Sequence, residues 1–223
     1  MRTLLAAAFL LALQPVTLKR APVVGETTRF DLKMETTWEG KDLVFSGRQE
    51  EAVTALNLDG TFEMTSKQIS SKVSYDGQEI DVPAGEPTIF RYGPDNAPLA
   101  LIGDRVDADA FRLTRVTTVI FPTEGIAAGG TWTRELRDDP EQSLPPVKLT
   151  FTFEGSESVA GGEAHRIKIV SEELDGDFPS KVNGHVWVSA QTGAMMKAKY
   201  EIDEAPVAGN RFDITLTIEP ATS

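Results

Sequence analysis

The chain has 223 residues, 40% of them apolar and 25% charged, with 22 basic against 34 acidic side chains, two histidines and no cysteine. A net charge of −12 repels nucleic-acid phosphates and anionic lipid heads, so nucleic acid is excluded as an expected partner. The lack of cysteine excludes a disulfide framework, thiol nucleophiles, thiolate zinc sites and a lipobox thiol, so the core has to hold unaided.

Met1-Arg2-Thr3 sets one positive charge ahead of an unbroken apolar run at residues 4–13. That is the pattern of an export signal, and the run is too short to span a bilayer comfortably. Pro15 and the Lys19-Arg20 pair end it, giving an expected leader at 1–21 and a single β domain at 22–223. Small residues at the spacing a signal peptidase needs occur only inside the run, at Ala6 and Ala8, so the cut position stays open. An uncleaved leader tethering the domain to a membrane is the alternative. Removing Arg2, Lys19 and Arg20 with the leader leaves 19 basic against 34 acidic residues, a net charge of −15. The expected location is the periplasm or the extracellular space.

After the leader the apolar period is two almost throughout. Phe30, Leu32, Met34 and Trp38 open the first strand. Residues 53–58 and 61–66 flank Asp59-Gly60, and residues 72–75 and 79–82 flank Asp76-Gly77, both read as type I′ hairpins. Residues 83–98, rich in Pro and Gly, read as a long loop, and Leu99, Ile102 and Val106 outline one short helix over 99–111. Phe111, Leu113, Val116 and residues 119–121 are assigned to a further strand, and 138–146 to a second loop. Leu149, Phe151 and Phe153 alternate with threonines, residues 164–170 follow a Gly161-Gly162 turn, and Val186 and Val188 precede Thr192-Gly193. Residues 195–202 and 212–218 complete the series. The fold class is therefore all-β: a curved antiparallel sheet or half-open barrel of about ten to twelve strands with little helix.

Chemical motifs are scarce. His165 and His185 fall in expected strands and lack the spacing of a zinc site, so they read as solvent-facing strand residues. Asp104, Asp107 and Asp109, like the acidic run at 172–177, depart from calcium-loop spacing and read as solvated turns. Neither a nucleophile elbow nor a phosphate loop is present, so no catalytic residue, metal or cofactor is expected and the protein is read as a non-enzyme. The aromatic residues of the strands are mostly core. In a half-closed barrel some would turn to a cavity, and Trp38, Trp132, Trp187, Phe151 and Phe153 are the candidate ligand-binding residues.

Pro122-x6-Gly129-Gly130-Thr131-Trp132-Thr133, the strand–Gly-Gly–strand unit over 147–170, and Gly184-His185-Val186-Trp187 leading to Gln191-Thr192-Gly193 form a series of turn and strand motifs. It resembles a group of exported bacterial β proteins of unknown function, and its last hairpin is similar to that of periplasmic lipoprotein carriers of the LolA/LppX-like half-barrel class. The likeness covers about residues 120–203, with Ser189 where Asp is common. It implies a curved antiparallel sheet whose concave face holds an apolar ligand. The expected function is an exported envelope binding or carrier protein with a lipid or other apolar molecule as partner. A structural or partner-binding envelope domain with a filled core is the alternative.

Overall fold

The computed structural model describes residues 15–102, 108–159, 162–207 and 209–221, and in it the period-two pattern becomes one antiparallel sheet of twelve strands. The leader run at 4–13, Asp104 and Asp107 of the acidic turn, and Gly161 lie outside the described residues. The N-terminal half holds β1 (Thr27–Trp38), β2 (Lys41–Leu56), β3 (Phe62–Tyr75), β4 (Gln78–Asp81), β5 (Thr88–Tyr92) and β6 (Pro98–Ile102). The C-terminal half holds β7 (Thr131–Leu136), β8 (Val147–Val159), β9 (Gly162–Glu173), β10 (Lys181–Ser189), β11 (Met195–Val207) and β12 (Asn210–Pro220). Their spatial order is β6-β5-β3-β2-β1-β12-β11-β10-β9-β8-β7, with β4 beside the far end of β3.

The first and last strands thus meet in the middle of the sheet, with Phe30 opposite Pro220 and Met34 opposite Leu216. Two meanders are joined by this ladder into a curved sheet that does not close. Register shifts at Arg48/Gln49, Val53/Ala55, Phe153/Gly155 and between Ile202 and Ala205 add local bend and twist to the long strands.

Turn chemistry explains part of the register. Asp76-Gly77 has positive φ at both residues, the type I′ geometry expected there, and Glu39-Gly40 does the same between β1 and β2. At Asp59-Gly60 the expectation of a type I′ turn fails, because only Gly60 is left-handed. The Asp59 carboxylate accepts hydrogen bonds from the Thr61 N–H (3.0 Å) and hydroxyl (2.7 Å), and the Asn57 N–H reaches the Thr61 carbonyl at 2.8 Å, which organises a longer loop.

The strand expected through Phe111, Leu113 and Val116 is instead a helix, α1 (Ala108–Thr117). Phe111, Arg115 and Val116 are its buried residues, a helical spacing, and Asp109 in the first turn and Arg115 in the last suit the helix dipole. Conversely, the helix expected from Leu99 onward begins as strand β6, which pairs with β5. That strand β5 lies inside the expected 83–98 loop. It is five residues long and closely flanked by Pro87 and Gly93-Pro94, which hid its alternation.

Helix α1 and residues 118–121 fill the concave side over the C-terminal half. Val116, Ile120 and Phe121 pack with Leu149, Phe151, Ile167 and Ile169, all of them buried. Polar groups fix the position of this plug. The Ser171 hydroxyl donates to the Val116 carbonyl (2.6 Å), the Tyr200 hydroxyl to that of Thr117 (3.0 Å), and the Trp132 indole to that of Ile120 (2.7 Å). Arg112 forks onto the buried carboxylate of Glu173 at 2.9 and 2.6 Å, and that carboxylate also accepts the Ser180 N–H. The Arg115 guanidinium is buried and donates to the carbonyls of Pro145 and Arg137.

Residues 15–26 form an arm that straps the open sheet. Val16 exchanges two 2.9 Å backbone hydrogen bonds with Ile126, Leu18 is buried in the core, and the Ala21 N–H donates to the Thr192 carbonyl at 2.8 Å. At its far end Gly25 and Glu26 bond to Val53 of β2. The segment expected to end the leader is therefore part of this packing, and a cut after Ala21 would remove Leu18 and Arg20 from it. Gly193 permits the close crossing: at φ +67° any Cβ there would lie 2.1 Å from the Lys19 carbonyl oxygen.

Candidate functional site

Alternation along a strand determines which side chains face inward. Starting from buried Val53, a period of two brings Glu51 and Gln49 of β2 to the same face, and strand register extends the row sideways. One rung is polar, running Thr28–Glu51–Ser66–Thr88 across β1, β2, β3 and β5. The next is apolar, Val53–Met64–Phe90–Leu101. Phe62 and Tyr92 lie opposite each other further along, with stacked rings 5.3 Å apart.

Helix α1 meets these rungs at one end only, where its Phe111 packs with Leu101 and Phe90. Its Leu113, Thr114 and Thr117 form the facing wall, Tyr200 and Leu216 continue the floor, and the arm contributes Arg20 and Glu26. The space between is a cavity of about 430 Å³ that opens to solvent. Small-molecule sites typically run from about 300 to 1,000 Å³. Tyr200 reaches this position because its neighbour on β10 is Gly184, where a Cβ would stand 2.7 Å from the tyrosine ring.

Among the described residues, the charged side chains lining the cavity are Arg20, Glu26 and Glu51. Arg20, only 6% exposed, pairs with Glu26 at 2.8 Å, donates to the Thr192 carbonyl at 3.1 Å and lies 5.7 Å from the centre of the Phe62 ring. Glu51 accepts a 2.9 Å hydrogen bond from the Gln49 amide. Burial pushes the Glu51 carboxyl up to about 7, against the smaller downward pull of Gln49 and Arg20. Burial, reinforced by the Glu51 charge, also raises the Tyr92 and Tyr200 hydroxyls above the usual tyrosine range, so both stay protonated donors. With Glu51 ionised the cavity carries one net negative charge. The arrangement offers an apolar surface with a polar, acidic end.

The five aromatic candidates stand elsewhere. Phe151 and Phe153 are buried in the core beneath the plug, and Trp132 stacks on Phe151 at 5.1 Å. Trp38 is 40% exposed at the end of β1, its ring 5.3 Å from Phe212. Trp187 lies between the Arg166 and Lys197 cations and donates to Glu157. None of the five lines the cavity. The two histidines hold separate partners: His165 shares a 2.8 Å hydrogen bond with the Ser156 hydroxyl, and His185 lies 3.4 Å from Glu154. Burial lowers the His165 pKa. Among the described residues no three His, Cys, Asp or Glu side chains converge as a metal site. The cavity residues that sequence analysis passed over had one available signal, the parity that ties Glu51 and Gln49 to Val53.

No family model matches the chain, and no curated protein matches it. Among solved structures it is similar to a candidate exported protein of Bacteroides fragilis with a YmcC-like fold, at 10% identity and a TM-score of 0.34, covering 93% of this chain and 100% of that one. A candidate lipoprotein of Parabacteroides distasonis is similar at the same identity and TM-score, covering 93% of this chain and 99% of that one. A likeness of that size transfers no function.

Proposed function

We propose that this protein is an exported, non-enzymatic carrier of the cell envelope whose half-barrel holds a small amphiphile with an apolar body. The observation that carries this reading is the cavity between the N-terminal half-sheet and α1. It has ligand-like volume, with the apolar rung of Val53, Met64, Phe90 and Leu101 beside a polar rung. The residues at 4–13 supply the export signal, and the acidic surface disfavours polyanions. A filled structural domain describes the C-terminal half, where the plug occupies the concave side. It does not account for the space left beside that plug.

The test is titration of the protein with a neutral fluorescent acyl-chain probe. Saturable binding is expected in the unaltered protein, with loss in Leu113→Trp, which fills the cavity from the helix side. Trp187→Ala, outside the cavity, is expected to bind normally. Absence of saturable binding by the unaltered, folded protein would refute the carrier reading.

A further inference from the structure

We infer that the occupant of this cavity bears a cationic amine or quaternary ammonium head, seated against Glu51 and the neighbouring rings of Phe90 and Tyr92. The inference rests on the carrier reading and specifies its ligand class. Its basis is the way charges are already paired. Arg20 is engaged on three sides, by Glu26, the Thr192 carbonyl and the Phe62 ring, so it is not free to receive an anionic head. Glu51 receives the single Gln49 amide at 2.9 Å, and among the described residues no lysine lines the cavity. An anionic head would therefore enter beside two carboxylates. A neutral head would leave an ionised Glu51 in a partly dry site with only the Gln49 amide and the charge of Arg20, itself paired with Glu26, to offset it, which is costly.

The surroundings of Glu51 also suit a cation. Phe90 stands one rung away, Tyr92 lies 6.3 Å from Phe90 and 5.3 Å from Phe62, and the Glu51 charge is felt at the Tyr92 hydroxyl. A carboxylate beside aromatic faces is the combination that attracts ammonium groups.

Binding of such a head requires an ionised Glu51, so affinity rises with pH through about 7. The charged or titratable groups facing Glu51 are Arg20 and Glu26 from the arm, Tyr92 from β5 and Tyr200 from β11. β1 and β3 present Thr28 and Ser66. The tyrosines stay protonated across this range, which leaves Glu51 as the group that changes charge.

The experiment is calorimetric titration of the full chain with octyltrimethylammonium, octanol and octanoate, at pH 6 and pH 8, for the unaltered protein and Glu51→Gln. The expected result at pH 8 is octyltrimethylammonium binding about tenfold or more tighter than octanoate. For the unaltered protein its affinity should fall by roughly tenfold between pH 8 and pH 6. In Glu51→Gln both the preference and the pH dependence should disappear while octanol binding persists. Octanoate binding as tightly as the cation, or a cation preference unchanged in Glu51→Gln, would overturn the inference while leaving the carrier reading intact. Failure of all three compounds to bind would overturn both. A thermal melt of Glu51→Gln matching or exceeding that of the unaltered protein shows that lost preference is not lost folding.

Discussion

Replacing Glu51 by Gln tests whether the cavity holds this carboxyl away from bulk water. Its pKa rises from an ordinary 4.5 to about 7 on folding, mainly through burial. Between those values the folded protein binds more protons than the unfolded chain, so stability falls as pH rises through that window and stays low above it. At 1.36 kcal/mol per pH unit the full difference is about 3 kcal/mol. Water entering the open cavity reduces this to about 2 kcal/mol. Glutamine keeps the size and can accept from Gln49 but cannot ionise. Urea unfolding at pH 4.5 and pH 8 should therefore give nearly equal stabilities at the lower pH and a variant about 2 kcal/mol more stable at the higher one, with equal denaturant slopes. Other carboxylates titrate in both proteins and cancel in the difference. A difference between the two proteins that does not change with pH would show Glu51 to be fully hydrated, and would remove the electrostatic argument for the cavity's acidic end.

Four further substitutions probe the frame around the site. Phe151→Ala, in the fully buried core, should cost about 3–5 kcal/mol in chemical denaturation, whereas Trp187→Ala, between two surface cations, should cost less than about 1 kcal/mol. Gly193→Ala, whose Cβ would collide with the Lys19 carbonyl, should loosen the arm and speed tryptic cutting at Lys19 and Arg20, measured as a cleavage rate. Glu173→Gln leaves the Arg112 fork without its carboxylate at a nearly inaccessible position and should lower stability by about 3 kcal/mol at neutral pH. An unchanged denaturation midpoint there would mean the pair is hydrated.

The strands with unbroken alternation were legible in the sequence because period two needs no tertiary information. β1, β8 and β12 fall where Phe30, Phe151 and Phe212 place them, and Asp76-Gly77 makes the expected turn because both residues tolerate positive φ. Short or mixed patterns were not legible. β5 is bounded too closely by proline and glycine to show its period, and α1 carries apolar residues that fit either a strand or a helical face. Only packing against β8–β11 and, through Phe111, against Leu101 of β6 and Leu144 decides for the helix.

The candidate site divides in the same way. Local sequence determines that Trp132, Phe151 and Phe153 lie on strands, and composition makes them strong candidates for burial. Whether an inward aromatic lines a cavity or sits beneath a plug depends on where α1 and residues 118–121 come to rest, which is set by contacts across the whole sheet. The pairing of β1 with β12, separated by nearly the full chain, brings the two halves together. The arm then carries Arg20 to Glu26 and Phe62, and the space left beside α1 surrounds Glu51. A glutamate two residues before Val53 in sequence is an ordinary strand residue. Long-range closure alone removes enough water from it to raise its pKa and make it the acidic end of a cavity.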